Sequence, residues 1–326
     1  MKKTLWILLD DRRGSVGQAK GVALALGDAM NIIEKQIVYT RLGSLPNWLR
    51  GKTLLGIDGA KSDSLEAPYP DMVMSTSRRT VPAARYIRKK SGNRTKIIQL
   101  MYPGGGTGIK EMVLVAVPAH EKPAKQKGDN ILVVTGAPTR IFDNILAEER
   151  QKWTPVFADL PRPWTAVIIG GGIKGKPWPL ENAEDLAVEL KKLHDKTGGS
   201  FLITSSRRTG AAAEKIIMEK LKGIPMYTYM WGEKKENPIM GFYACPERIV
   251  VTADSVSMCS EACGCHVPVL LFQGKNWLSD KHLRFARSLI EQGYAQDIHA
   301  ADALEFMPQQ ALNSAAQIAA EILKIS

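Results

Sequence analysis

The sequence predicts an α/β protein of two domains, each built on a parallel sheet with helices on its faces. Three observations carry this. Short apolar runs alternate with helical patterns along the whole chain, the order that parallel strands and crossover helices require. The 326 residues accommodate two domains at roughly 150 residues each. The tetrapeptide Ser-Arg-Arg-Thr occurs twice, as Ser77, Arg78, Arg79, Thr80 and as Ser206, Arg207, Arg208, Thr209, each time behind an apolar run and ahead of a helical pattern.

In the first half, strands are expected over 4–9, 35–39, 52–57, 71–74, 96–101, 112–117 and 130–135, and helices over 17–30, 82–90 and 144–152. Pro155, Pro161 and Pro163 then rule out a continuing helix. The pattern restarts at 164–169 and runs into Gly170, Gly171 and Gly172. Later strands are expected over 200–204, 226–229, 248–252 and 267–272, with helices over 180–194, 209–221, 256–263 and 279–291. The tail, 309–325, reads as one amphipathic helix with Leu312, Ala316, Ala319 and Leu323 on one face. The expected division is 1–155 and 156–304.

Hydrophobic content of 44% and charged content of 24% are those of an ordinary globular protein. The charge is not ordinary: 44 basic against 33 acidic residues give +11. Such a balance fits an anionic substrate, an anionic membrane surface or nucleic acid. The sequence has no C2H2 spacing and no RNP-type aromatic motif, so no nucleic-acid partner is expected. The start imitates a signal peptide until Asp10, Asp11, Arg12 and Arg13 end the apolar run, and nothing else approaches a membrane span. The expectation is a cytoplasmic protein, with at most peripheral contact at the inner face of a membrane. Cys245, Cys259, Cys263 and Cys265 are too few and too clustered for a disulfide framework. Their spacing is not a zinc knuckle, so no metal is expected.

Two domains of this kind bind ligands outside the carboxyl ends of their strands. Each tetrapeptide there offers hydroxyls, two guanidinium groups and a helix start, which suit a phosphate. The two junctions are expected to face a shared electropositive cleft. After the first strand, Gly14 and Gly17 permit a tight turn leading to Gln18, and Asp11 is either a general base for a substrate hydroxyl or a cap of the turn. His120, with Glu121 beside it, is either an acid–base element or a surface histidine. Thr135-Gly136-Ala137-Pro138-Thr139-Arg140 forms another small turn ending in a guanidinium, and Gly171 with Lys174 brings backbone and an ammonium toward a ligand. The richest segment runs from Thr252 to Ala262: Ser255, Ser257 and Met258 open a helix and suit a diphosphate, and Glu261 suits the two hydroxyls of a ribose. A capping box explains part of that pattern.

These motifs resemble a bacterial and plant family named after the mitochondrial fission protein ELM1 and described as GT-B-like glycosyltransferases. The likeness runs nearly end to end. It covers the Asp-x-Arg-x-Gly turn with Gln18, Ser77 to Arg85, Pro118 to Glu121, Thr135 to Arg140, Ile169 to Trp178, Thr204 to Thr209, Glu236-Asn237-Pro238 and Thr252 to Ala262. The resemblance implies two Rossmann-like domains, with the tail 305–326 packing back on the first. It implies a donor site in the second domain, with Ser257, Met258 and Glu261 on the diphosphate and ribose and Asn237 near the base. The acceptor would bind mainly to the first domain. Two departures from the family pattern stand out: Gly172 and Ile173 stand where relatives often carry small polar residues, and Glu121 stands in place of aspartate.

The leading expectation is metal-independent transfer of a sugar from a nucleotide-diphosphate sugar, a co-substrate rather than a cofactor, to an acceptor hydroxyl. Arginines, Lys174 and helix starts would hold the diphosphate, and His120 or Asp11 would take the proton. A lipid-linked glycan is one acceptor open to it. The alternative is a non-catalytic adaptor at a membrane surface that retains the fold. A nucleotide-dependent oxidoreductase or epimerase lacks the dinucleotide fingerprint and a suitably placed Tyr-x-x-x-Lys pair.

Overall fold

The computed structural model describes residues 2–104, 108–173 and 176–326. The chain divides into two compact units: Met1–Arg140 with Asn313–Ser326, and Ile141–Leu312. The first contains β1 (Thr4–Leu9), α1 (Arg13–Leu26), β2 (Asn31–Gln36), α2 (Asn47–Arg50), β3 (Met72–Ser75), α3 (Val81–Lys90), β4 (Lys96–Leu100), β5 (Met112–Pro118) and β6 (Ile131–Val134). The second contains α4 (Asp143–Phe157), β7 (Trp164–Ile168), α5 (Leu180–Thr197), β8 (Ser200–Thr204), α6 (Ala211–Lys220), β9 (Met226–Tyr229) and α7 (Ile239–Ala244). It continues through β10 (Arg248–Thr252), α8 (Val256–Ala262), β11 (Val269–Phe272), α9 (Asp280–Glu291) and β12 (Gln296–Asp297). The tail helix α10 (Ser314–Ile325) lies in the first unit, against α1.

Each unit holds a six-stranded parallel sheet, in the order β2-β1-β3-β4-β5-β6 and β12-β11-β10-β7-β8-β9. The central strands are buried along their whole length, as β3, β7 and β8 show, because helices cover both faces. β2 lies at an edge, and its Asn-Ile-Ile-Glu-Lys-Gln sequence is only intermittently covered. Strand order reverses once in each sheet. The chain leaves β1 for β2 on one side and β3 on the other; likewise it leaves β7 for β8 and β9, then returns to place β10 on the far side of β7. These reversals, β1/β3 and β7/β10, are the topological switch points where such sheets take ligands.

Several local expectations are corrected. The segment 35–39 is not a strand of its own; β2 lies a few residues upstream, in register with β1. The segment 52–57 is not a strand and closes a loop through an isolated bridge between Tyr39 and Ile57. The helix begun at Asp143 does not stop before Pro155 but runs through it to Phe157. Proline inside a helix costs about 3 kcal/mol. Here Trp153 stacks on Phe157 at 5.9 Å, and Phe157 meets Tyr227 at 5.1 Å and Phe242 at 5.8 Å. Burying each aromatic contributes about 1.5–3 kcal/mol, which offsets the proline. That core keeps α4 in the second unit, so the boundary falls ahead of the helix rather than behind it. In the tail, the buried face is Ala315, Ile318, Ala319 and Ile322, while Ala316 and Leu323 face solvent. No helix among the described residues is long and apolar enough to cross a membrane.

Candidate functional site

The two tetrapeptides fold into the same turn. The Ser77 and Ser206 amides donate to the Thr80 and Thr209 hydroxyls at 3.1 and 2.9 Å. The amides of Arg79 and Arg208 donate to the serine hydroxyls at 3.1 and 3.2 Å. The hydroxyls thus serve the turn itself: Ser206 Oγ donates to the Gly170 carbonyl at 2.8 Å, and Thr209 Oγ1 donates to the same oxygen. In each copy the second arginine is clasped by an aspartate at a switch point. Arg79 Nη1 meets Asp11 Oδ1 at 2.7 Å, and Arg208 Nη2 meets Asp254 Oδ2 at 2.7 Å. The first arginine of each copy, Arg78 and Arg207, is exposed.

In the second unit this clasp shapes the glycine turn behind β7. Asp254 is completely buried and takes a hydrogen bond from Thr252 Oγ1 at 2.7 Å and from the Gly171 amide at 2.9 Å. Arg208 Nη1 also donates to the Gly172 carbonyl at 2.8 Å. Glycine is required: a Cβ on Gly170 would lie 2.1 Å from Asp254 Oδ1, and one on Gly171, at φ +153°, would lie 2.0 Å from the Arg208 carbonyl oxygen. Burial raises the Asp254 carboxyl above its ordinary range, opposed by Arg208, the Thr252 hydroxyl and the Gly171 amide.

Beside this clasp a cavity of about 380 Å³ opens outside the carboxyl ends of β8 and β9. Of the sequence-predicted donor residues, Ser206, Arg207, Asn237, Met258 and Glu261 line it. Glu261, on α8, accepts a hydrogen bond from Tyr243 Oη at 2.9 Å, which fixes the carboxylate's orientation. Tyr243 is itself buried, and its phenol is pushed well above its usual pKa by that burial and by Glu261. Asn237 Oδ1 accepts from the Ile239 amide at 3.0 Å, at the entry to α7. Ser255 caps α8, accepting from the Met258 amide at 3.4 Å. Ser255, Ser257, Gly171, Arg208 and Thr209 stay outside the cavity wall, and Lys174 lies outside the described residues.

The sequence reading missed Tyr243, Tyr229, Trp231 and Glu233, which also line the cavity. Trp231 is 57% exposed and its amide donates to Ser205 Oγ at 2.8 Å. The strand-end rule, applied to β9, leads straight to Trp231 and Glu233. Tyr243 gave no such signal, because α7 is six residues long.

In the first unit, the Arg79 guanidinium lies 4.0 Å from the centre of the Tyr39 ring while it pairs with Asp11, whose side chain is 64% exposed. Gly14 sits in the first turn of α1, not ahead of it, since the helix starts at Arg13. Gln18 Oε1 is buried and has no hydrogen-bond partner among the described residues. Arg140 is exposed. His120 lies behind β5 with 2% of its surface exposed, so it is a core histidine in this structure rather than a surface one. Its neighbour Glu121 pairs with Lys125 at 2.7 Å.

The four cysteines are buried free thiols, and burial pushes all of them up. Away from the cavity, Asp185, Glu189 and His299 bring potential cation ligands within 4.8 Å of one another. These groups already have partners: Glu189 holds Lys192 at 2.7 Å, and His299 stands between Asp185 at 3.3 Å and Asp297 at 3.1 Å.

Two six-stranded parallel sheets of this topology define the GT-B fold. The UDP-GlcNAc 2-epimerase from Methanocaldococcus jannaschii superposes with a TM-score of 0.58 at 14% identity, covering 99% of this chain and 100% of that one. The complex of the same organism's UDP-GlcNAc 2-epimerase with UDP-GlcNAc and UDP superposes at 0.51, at 14% identity and 99% of each chain. Within that class, the chain belongs to the mitochondrial fission ELM1 family, whose profile matches residues 13–325. Its relatives include an uncharacterized protein, RP120, of Rickettsia prowazekii, 29% identical over 99% of this chain and 98% of that one. The mitochondrial fission protein ELM1 of Arabidopsis thaliana is 29% identical over 82% of this chain and 66% of its own length.

Proposed function

We propose that the second unit binds a nucleotide-diphosphate sugar and that the chain passes the sugar to an acceptor hydroxyl. The observation that carries this is the cavity beside the β7/β10 switch point, where Glu261, Arg207, Asn237 and three aromatic side chains converge. A carboxylate with one oxygen held by Tyr243 suits the paired hydroxyls of a ribose. Tyr229 and Trp231 give apolar faces for a base. Arg207, exposed and not drawn into the clasp that occupies Arg208, is a cation available to a diphosphate. The two Methanocaldococcus jannaschii structures are named as enzymes of a UDP-sugar, which supports the same class of ligand for this fold.

In the transfer step, the acceptor O–H gives its proton to a carboxylate. The oxygen then forms a bond to the anomeric carbon as the bond to the diphosphate breaks, and the diphosphate leaves with its added charge met by Arg207. We assign the proton acceptor to Asp11 rather than to the buried His120, since solvent reaches the Asp11 carboxylate.

Titration calorimetry with a panel of nucleotide sugars tests the reading. One member should bind, and Glu261→Ala should weaken it by about tenfold or more, the loss of a charge-assisted hydrogen-bond pair. Binding by no member, or an unchanged affinity in Glu261→Ala, overturns it. Turnover of the bound donor to free nucleoside diphosphate, lost in Asp11→Asn, separates transfer from binding alone.

A further inference from the structure

Residues 41–57 carry Arg41, Arg50 and Lys52, no acidic residue, and the apolar side chains Leu42, Leu45, Trp48, Leu49, Leu54 and Leu55. They form a loop in the first unit closed at its base, where the Thr40 amide donates to the Gly56 carbonyl at 3.0 Å and the Asp58 amide to the Val38 carbonyl at 2.9 Å. Arg50 is its hub. The side chain is fully buried, with Nε on the Leu55 carbonyl at 2.9 Å and Nη1 on the Arg79 carbonyl at 3.0 Å. While Leu54 packs inward against the core, four other apolar side chains of the loop face solvent: Trp48 is 71% exposed, Leu42 and Leu49 50%, and Leu55 43%. Four large apolar side chains in one short ordered loop are more than scattered surface residues.

The loop also sits on the basic turn. Asn47 Nδ2 donates to the Arg78 carbonyl at 2.8 Å, which places the apolar tip next to exposed Arg78. Lys52 is paired with Glu111 at 3.1 Å, whereas Arg41 and Arg78 have no carboxylate partner among the described residues. We propose that this loop docks the first unit onto the surface of an anionic lipid bilayer, Trp48, Leu42, Leu49 and Leu55 entering the interface and Arg41 and Arg78 meeting lipid phosphates. Exposed apolar side chains on a stretch without acidic residues, flanked by Arg41 and Arg78, match the apolar boundary and negative headgroups of such a surface. The Arg50 scaffold means that docking orders no new chain. This surface goes beyond the nucleotide-sugar reading and does not rest on it.

Co-sedimentation of the full chain with vesicles tests it. Vesicles of phosphatidylglycerol and phosphatidylcholine should bind the protein, and phosphatidylcholine alone should not. Trp48→Ser with Leu49→Ser should weaken binding by at least about tenfold, and Arg41→Glu should weaken it and flatten its salt dependence. Circular dichroism and thermal unfolding establish that the variants fold, and calorimetry with the nucleotide sugar should give the wild-type affinity. Failure of vesicle binding in the wild type, equal binding by the double variant, or equal binding to neutral vesicles overturns the proposal. So does a wild-type dimer in sedimentation velocity that the double variant abolishes, which would make the patch an interface between copies.

Discussion

Replacing Arg208 by Met removes the cation that pairs with the buried Asp254 carboxylate and leaves it the Thr252 hydroxyl and the Gly171 amide. Breaking a fully buried ion pair costs about 3–5 kcal/mol, and losing an exposed one about 0–1. This pair lies between, since the Asp254 side chain is 0% exposed and that of Arg208 is 37%. About 2–3 kcal/mol is therefore expected at neutral pH, which for a unit of this size lowers its unfolding temperature by about 4–12 °C. The loss should depend on pH. Burial already raises the folded-state pKa of Asp254, and without Arg208 it rises further. A carboxyl raised on folding contributes stability that is fully present below its unfolded pKa, about 3.9, and lost as pH rises through the folded value. The variant should thus approach the wild type as pH falls to about 4 and diverge from it toward pH 7. Scanning calorimetry reads the shift, and Asp254→Asn in the Arg208→Met background should recover much of the difference at neutral pH. A shift below about 1 °C at pH 7, or a difference that widens as the pH is lowered, would refute the account of the clasp.

Tyr243→Phe removes the hydroxyl that orients Glu261, and should weaken the tightest nucleotide sugar of the panel about three- to tenfold while leaving the heat capacity of binding unchanged, as calorimetry reads. Equal affinity would mean that Glu261 needs no such support. The four cysteines, buried and with thiols pushed up, should resist a thiol reagent in native protein at pH 8 and all react once it is unfolded. A fast-reacting thiol in the native state would place at least one of them at the surface.

Much of the architecture was legible because its signals are local. Apolar runs marked most of the strands, and the repeated Ser-Arg-Arg-Thr marked two equivalent strand-to-helix turns, which share their hydrogen bonds almost bond for bond. What failed was also local reasoning. Pro155 reads as a helix stop until Trp153 and Phe157 are seen to enter an aromatic core with Trp164, Tyr227 and Phe242. The 35–39 and 52–57 segments read as strands because apolar content alone does not separate an edge or a closed loop from a sheet. At the site, Glu261, Arg207, Asn237 and Met258 were legible from strand ends and the family likeness, whereas Tyr243 sits on a helix too short for any periodicity.

By itself, then, the sequence determined which segments pair into parallel sheets and which turns carry hydroxyls and guanidinium groups, since those depend on neighbours within a turn or two. Only the tertiary structure decided what each arginine is for. Arg79 meets Asp11 and Arg208 meets Asp254 because, within each sheet, strand order brings strand ends distant in sequence together at that sheet's switch point, and their neighbours Arg78 and Arg207 are left facing solvent. A side chain's partner is set by the register of the whole sheet, which no short stretch of chain encodes.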